Sequence, residues 1–269
     1  MWNTKKEGSK IAKEGKQEVI TLAGRIMKRL LILFILVYHA PCFSQTYNER
    51  SAVLEIGYGV AVPFGKFEST SVTDSASGYA TAGTNLNVMF SYLVSKNFGV
   101  AAMISSSANR LNTEGIKNKF ETYADKIEGD VSDLHYEKWS TIAYMAGGYV
   151  TYPLQKASFN LQLLAGYSRT SYPQLNAVIY SKLDSNAVEV SQYASGVASA
   201  FCLNAGVGLK YNISDIMCLC VNANFLSTYP EFESVVTTST FQSGTPDEYH
   251  KVHQRVSLLN VTAGIGFRF

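Results

Sequence analysis

The sequence predicts an eight-stranded antiparallel up-and-down transmembrane β-barrel, and three observations carry that expectation. Eight segments alternate apolar and polar side chains with a period of two, the signature of a strand whose faces meet different surroundings. The connections between them alternate strictly between tight turns and long polar stretches, so turns gather at one end and loops at the other. The apolar stripe is continuous and nearly uncharged, whereas the opposite stripe is mostly Gly, Asn, Ser and Thr, too polar for the core of a water-soluble protein.

The first segment, "SAVLEIGYGVAV", sets Leu54, Ile56, Tyr58, Val60 and Val62 against Glu55, Gly57, Gly59 and Ala61. In the second, "NLNVMFSYLV", Leu86, Val88, Phe90, Tyr92 and Val94 share a face; the third, "FGVAAMISSS", alternates less cleanly. The fourth, "TIAYMAGGYVTYP", aligns Ile142, Tyr144, Ala146, Val150 and Tyr152, and the fifth, "FNLQLLAGYS", opposes Phe159, Leu161, Leu163, Ala165 and Tyr167 to Asn160, Gln162, Gly166 and Ser168. The sixth, "FCLNAGVGLKYN", runs Phe201, Leu203, Ala205, Val207, Leu209 and Tyr211 against Cys202, Asn204, Gly206, Gly208, Lys210 and Asn212. In the seventh, "IMCLCVNANFLSTY", Met217, Leu219, Val221, Ala223 and Phe225 oppose Cys218, Cys220, Asn222 and Asn224. The eighth, Leu259 through "NVTAGIGFRF", points Val261, Ala263, Ile265, Phe267 and Phe269 one way.

Residues 95–97, 154–158 and 214–215 are the tight turns, built from residues that turns favour. Residues 63–83, 108–138, 169–196 and 230–254 are the long polar loops, which puts both termini on the turn side. Aromatic rings lie near the ends of the apolar stripes, as interfacial girdles require: Tyr92, Tyr152, Phe159, Tyr211, Phe267 and Phe269 by the turns, Tyr167 and Tyr229 by the loops. A soluble secreted lipocalin-like barrel is the competing architecture, and the inside-out polarity argues against it.

The amino end reads as an address. From Met27, Lys28 and Arg29 precede a nine-residue apolar run, Leu30 to Tyr38, and small residues precede a cleavage point after Ser44. Nine apolar residues fall short of the ~20 a transmembrane helix needs, so residues 27–44 are expected to be a signal peptide. Residues 1–26 form an upstream extension, with translation expected to start at Met27, and residues 45–269 form the barrel. Residues 1–44 hold eight of the 23 basic and three of the 21 acidic side chains, leaving the remainder at net −3. That balance offers no basic patch for nucleic acid. Past the signal, Cys202, Cys218 and Cys220 are odd in number and imply no disulfide framework.

With these features the chain resembles the porin-like outer-membrane β-barrel family of Bacteroidota and related Gram-negative bacteria. The likeness rests on the signal ending "FSQ", the "VPFGKF" segment at 62–67 and the terminal "GIGFRF". It implies a location in the cell outer membrane, contact with outer-membrane lipid, and a C-terminal strand read by the barrel-assembly machinery. Phe269, Phe267, Ile265 and Tyr211 are then the expected assembly signal and membrane anchors.

Glu55, Lys210 and Arg268 are the expected interior charges, with Glu55 and Arg268 brought together by closure and Arg255 near the rim. No GxSxG, HExxH or P-loop spacing is present. The expectation is therefore a structural, adhesive or ligand-contacting protein, not an enzyme, with no cofactor and no metal site. The alternative is an acyl hydrolase or transferase of membrane lipids using His135 with Asp133 or Glu137. His250 and His253 read as solvated loop histidines. The loops are the candidates for contact with an extracellular protein or glycan, and in loop 108–138 Tyr123, Leu134, Tyr136 and Trp139 offer an apolar surface.

Overall fold

The computed structural model describes residues 52–71, 73–74, 76–126, 129–181, 187–194, 197–240 and 248–269. The expected extension, signal peptide and cleavage point all lie outside the described residues. Among the described residues thirteen strands follow in chain order: β1 (Ala52–Pro63), β2 (Ala80–Leu93), β3 (Phe98–Leu111), β4 (Gly129–Tyr136), β5 (Trp139–Leu154), β6 (Ala157–Ser171), β7 (Leu175–Ser181), β8 (Ala187–Ala194), β9 (Val197–Asn212), β10 (Met217–Thr228), β11 (Glu231–Thr240), β12 (Glu248–His253) and β13 (Val256–Arg268). A 3-10 turn spans Gly65–Phe67, and a helix, α1, spans Thr113–Lys126, its first turn capped by Asn112 Oδ1 accepting from the Gly115 N–H at 2.8 Å.

Eight strands close into an antiparallel barrel in the order β1-β2-β3-β5-β6-β9-β10-β13, with β13 pairing back onto β1. These are the eight segments expected from the sequence. The pairing row Tyr58–Leu86–Ser106–Ile142–Arg169–Ser199 starts in the middle of β1 and ends close to the loop-side end of β9. That climb is the stagger that barrel closure demands of tilted strands. Large apolar side chains stand exposed on the outer wall of every barrel strand, among them Ile56, Val88, Val100, Tyr144, Leu163, Leu203, Val221 and Ile265. Between the rims no outward position carries Asp, Glu, Lys or Arg. An ionic side chain at mid-bilayer depth costs about 2–4 kcal/mol, which explains the exclusion.

Inward positions reverse the chemistry. Asn85 donates to Ser105 Oγ at 2.8 Å and Ser107 Oγ at 2.9 Å, Asn87 to Thr262 Oγ1 at 3.0 Å, and Ser168 and Thr228 share a hydrogen bond of 2.7 Å. Glycine makes room where two such chains meet: a Cβ on Gly206 would lie 2.0 Å from Asn224 Oδ1 and 2.7 Å from Gln162 Nε2. Side chains therefore pack the interior at successive levels, as an eight-stranded barrel requires.

The four long connections depart from expectation. Strands extend well into them, and three of them fold into a second antiparallel sheet, ordered β12-β11-β8-β7-β4. The barrel strands simply continue above the rim: β11 and β12 prolong the β10–β13 hairpin, and the β7–β8 hairpin grows from β6 and β9. Composition hid this because these strands are short and sit amid polar residues.

Candidate binding surface

At the loop end an aromatic core closes the barrel. Trp139, at the start of β5, is 2% exposed and donates its indole N–H to Gly78 O at 2.9 Å. Its ring lies 5.4 Å from Phe67, 5.1 Å from Tyr172 and 6.0 Å from Phe232, and Tyr172 packs 5.2 Å from Phe232. Each ring comes from a different connection, or from the strand end beside it. Leu111, Ile116, Leu226, Val256 and Leu258 complete the cluster. Burial pushes the Tyr172 phenol up to about 12. The loop of residues 64–79 reaches into this cap, held by the Gln254 amide donating to Ala76 O at 3.2 Å and by the exposed Lys66–Asp74 ion pair. The Lys66 ammonium beside Asp74 holds that carboxyl below its ordinary range.

The sequence placed Trp139 on an outer surface, and the structure corrects this: it is the centre of the cap. Tyr136 packs half-buried against the same core, and the side chains of Tyr123 and Leu134 lie outside the described residues. Phe67, Tyr172 and Phe232 were missed as a group. Their available signal was phase, because Trp139 continues the inward series of Thr141 and Ala143 past the point where polarity changes.

Above the cap stands the five-stranded sheet. On its β11–β12 side Lys251 bridges Glu231 at 3.1 Å and Glu233 at 3.3 Å, and His253 stacks on the exposed Tyr229 with centroids 5.9 Å apart. Hydrogen bonding to Lys251 holds the Glu231 carboxyl low, and the same bond raises Lys251. His135 is exposed on β4, and the side chains of His250 and Asp133 are outside the described residues.

The expected interior charges divide differently from the sequence reading. Glu55 and Lys210, 1% and 4% exposed, form an ion pair across the lumen near the turn end. Lys210 also donates to Tyr149 OH at 2.9 Å, Tyr149 donates to Asn160 Oδ1 at 2.7 Å, and the Asn222 amide reaches Glu55 Oε2 at 3.4 Å. Glu55 therefore takes Lys210 as its partner rather than Arg268, which pairs in register with Val53 and is half-buried at the rim. Arg255 is exposed at the loop-side end of β13. Cys218 and Cys220 are buried free thiols with sulfurs 3.7 Å apart, facing the space left by Gly266. The expected anchors all face outward: Tyr211 and Ile265 share one row with Leu219 between them, Phe267 lies below, and Phe269 is 64% exposed at the turn-side rim.

No family model matches the chain, and no curated protein matches it. Solved structures do. The attachment invasion locus protein Ail of Yersinia pestis matches at 14% identity over 82% of this chain and 100% of its own, with a TM-score of 0.40. The outer membrane protein OprG of Pseudomonas aeruginosa matches at 10% identity over 82% and 96%, TM-score 0.43. The outer membrane protease OmpT of Escherichia coli matches at 8% identity over 84% and 99%, TM-score 0.37. A closed barrel with an uncharged apolar belt outside and a hydrogen-bonded interior is stable only with lipid around it. The chain is a small β-barrel of the outer membrane.

Proposed function

We propose that this chain is a cell-surface binding protein, in which the barrel anchors a folded extracellular platform that contacts a protein or glycan. The observation that carries the reading is the five-stranded sheet, assembled from three connections above an aromatic cap. A loop that merely joins two strands needs neither a second sheet nor its own core. A platform held by buried rings presents its surface with little ordering cost on binding. Binding rather than catalysis is the proposed role.

The test is to shorten residues 177–193 and 234–250 to tight turns, leaving the cap residues in place. Cells displaying the full chain or the shortened chain are then applied to arrays of extracellular-matrix proteins and glycans. Binding by the full chain that disappears in the shortened one, with heat-modifiable gel migration of the barrel retained, supports the reading. Equal binding by both, or none by the full chain, defeats it. For the enzymatic alternative, His135→Ala with analysis of membrane lipids is the corresponding test, and the expected profile is unchanged.

A further inference from the structure

The outward wall is uncharged between its rims, so the first charges met on leaving the belt are informative. On three successive barrel strands they are all cationic. Arg110 is the penultimate residue of β3, Lys138 immediately precedes β5, and Arg169 lies two residues from the end of β6. All three are exposed. Each continues the outward phase of its strand: Arg110 follows Ile104, Ser106 and Ala108, Lys138 precedes Ser140 and Ile142, and Arg169 follows Leu163, Ala165 and Tyr167. Arg110 and Lys138 stand one step beyond the last pair of the β3–β5 ladder, Asn109 with Trp139. Arg169 pairs in register with Ile142, and the climb of the pairing rows lifts it towards the same rim.

None of the three forms an ion pair with a carboxylate among the described residues. Across the barrel, by contrast, the exposed Glu231 and Glu233 are already held by Lys251. We propose that Arg110, Lys138 and Arg169 form a subsite on the outer wall for the phosphate groups of anionic lipid in the outer leaflet. Two properties select this occupant. The site is continuous with the lipid-facing belt, with the exposed rings of Tyr144 and Tyr167 directly below it. Its stems also emerge at the depth where Arg and Lys lay their methylenes along apolar surface and extend their charge towards headgroups. Arg adds a planar donor fork that matches phosphate oxygens.

The full barrel is reconstituted into phosphatidylcholine vesicles containing either a bis-phosphorylated lipid A or its dephosphorylated form at equal mole fraction. Native mass spectrometry then counts the glycolipid retained per protein. With a factor of roughly five for each cation near an anionic surface, the preference for the phosphorylated form is expected to be about a hundredfold. R110Q/K138Q/R169Q should abolish that preference, and K96Q/K156Q, which removes two cations from the turns at the opposite rim, should keep it. Heat-modifiable migration verifies that both variants are folded. Equal retention of the two glycolipids by the unaltered protein overturns the proposal, as does a preference that survives the triple substitution. Displacement of the glycolipid by millimolar inorganic phosphate also overturns it, because the site would then serve a free ion.

Discussion

Replacing Lys210 with Met tests how the lumen is held together. The substitution roughly conserves volume and keeps the aliphatic stem, so the changes are electrostatic. It removes the ammonium from Glu55, breaks the 2.9 Å hydrogen bond to Tyr149 OH and ends the cation–π contact 4.9 Å above that ring. It leaves a carboxylate that is 1% exposed, with only the Asn222 amide at 3.4 Å to replace the lost charge. Stranding one member of a buried pair costs about 3–5 kcal/mol. E55Q/K210M removes both charges and should recover most of that loss, because paired burial contributes little net stability once both desolvation penalties vanish. The assay is urea unfolding of the barrel in phospholipid vesicles, followed by gel mobility and completed as a double-mutant cycle with E55Q. A loss below about 1 kcal/mol for K210M, or a double variant as unstable as the sum of the singles, would refute the assignment of Lys210 as the counter-charge.

Trp139→Ala should empty the centre of the cap at a cost of about 3–5 kcal/mol to the loop-side structure, read by proteolysis of the five-stranded sheet while the barrel stays intact. Tyr172 is neutral in the cap and its folded pKa, about 12, lies above the ordinary value of 10. Its contribution is therefore full below pH 10 and is lost as pH rises towards 12, so tyrosinate absorbance compared between the protein and Y172F should show this late titration; an additional ordinary phenol near pH 10 would contradict the burial. For the upper boundary of the belt, tryptophan introduced at Leu203 should be quenched by brominated lipid, whereas tryptophan at Ser199, four residues higher on β9, should be quenched several-fold less; equal quenching would misplace the boundary. Finally, Phe269→Ala should lower the amount of assembled barrel in cells yet leave refolding into vesicles nearly unchanged, if the terminal ring is read during assembly; an equal loss in both settings would make it a packing residue.

The barrel was legible because each membrane strand reports its surroundings twice, once per face. The sequence "FCLNAGVGLKYN" contains its own inside and outside, and β9 carries them as expected. The choice of partner for Glu55 was not legible. Glu55 and Lys210 lie on strands that come together across the lumen only after eight strands have closed with a particular stagger, so nothing local to either residue selects the other. The five-stranded sheet was hidden for another reason: "LNAVIYS" and "AVEVSQYA", which form β7 and β8, sit amid polar residues and read as loop. Their strand character comes from continuing hairpins already nucleated in the barrel, a tertiary cause with little trace in composition.

What unites the two halves of the molecule is an inversion along single strands. Inward positions of β5 pass from Thr141 to Trp139 as the strand leaves the barrel, those of β3 from Asn109 to Leu111, and those of β13 from Asn260 to Leu258 and Val256. The backbone and its phase do not change, so the cause lies outside the wall. Where lipid surrounds the strand, the outward face supplies the apolar contact and the interior needs only satisfied polar groups. Where water surrounds it, apolar burial must be found inside, and the same inward phase turns hydrophobic. The outward face makes the opposite change over the same span, from Ile104 to Arg110 on β3 and from Tyr167 to Arg169 on β6. Two independent faces of one strand therefore mark the same level, which is the membrane surface. The aromatic cap lies on the watery side of that level because only there does the interior need a core.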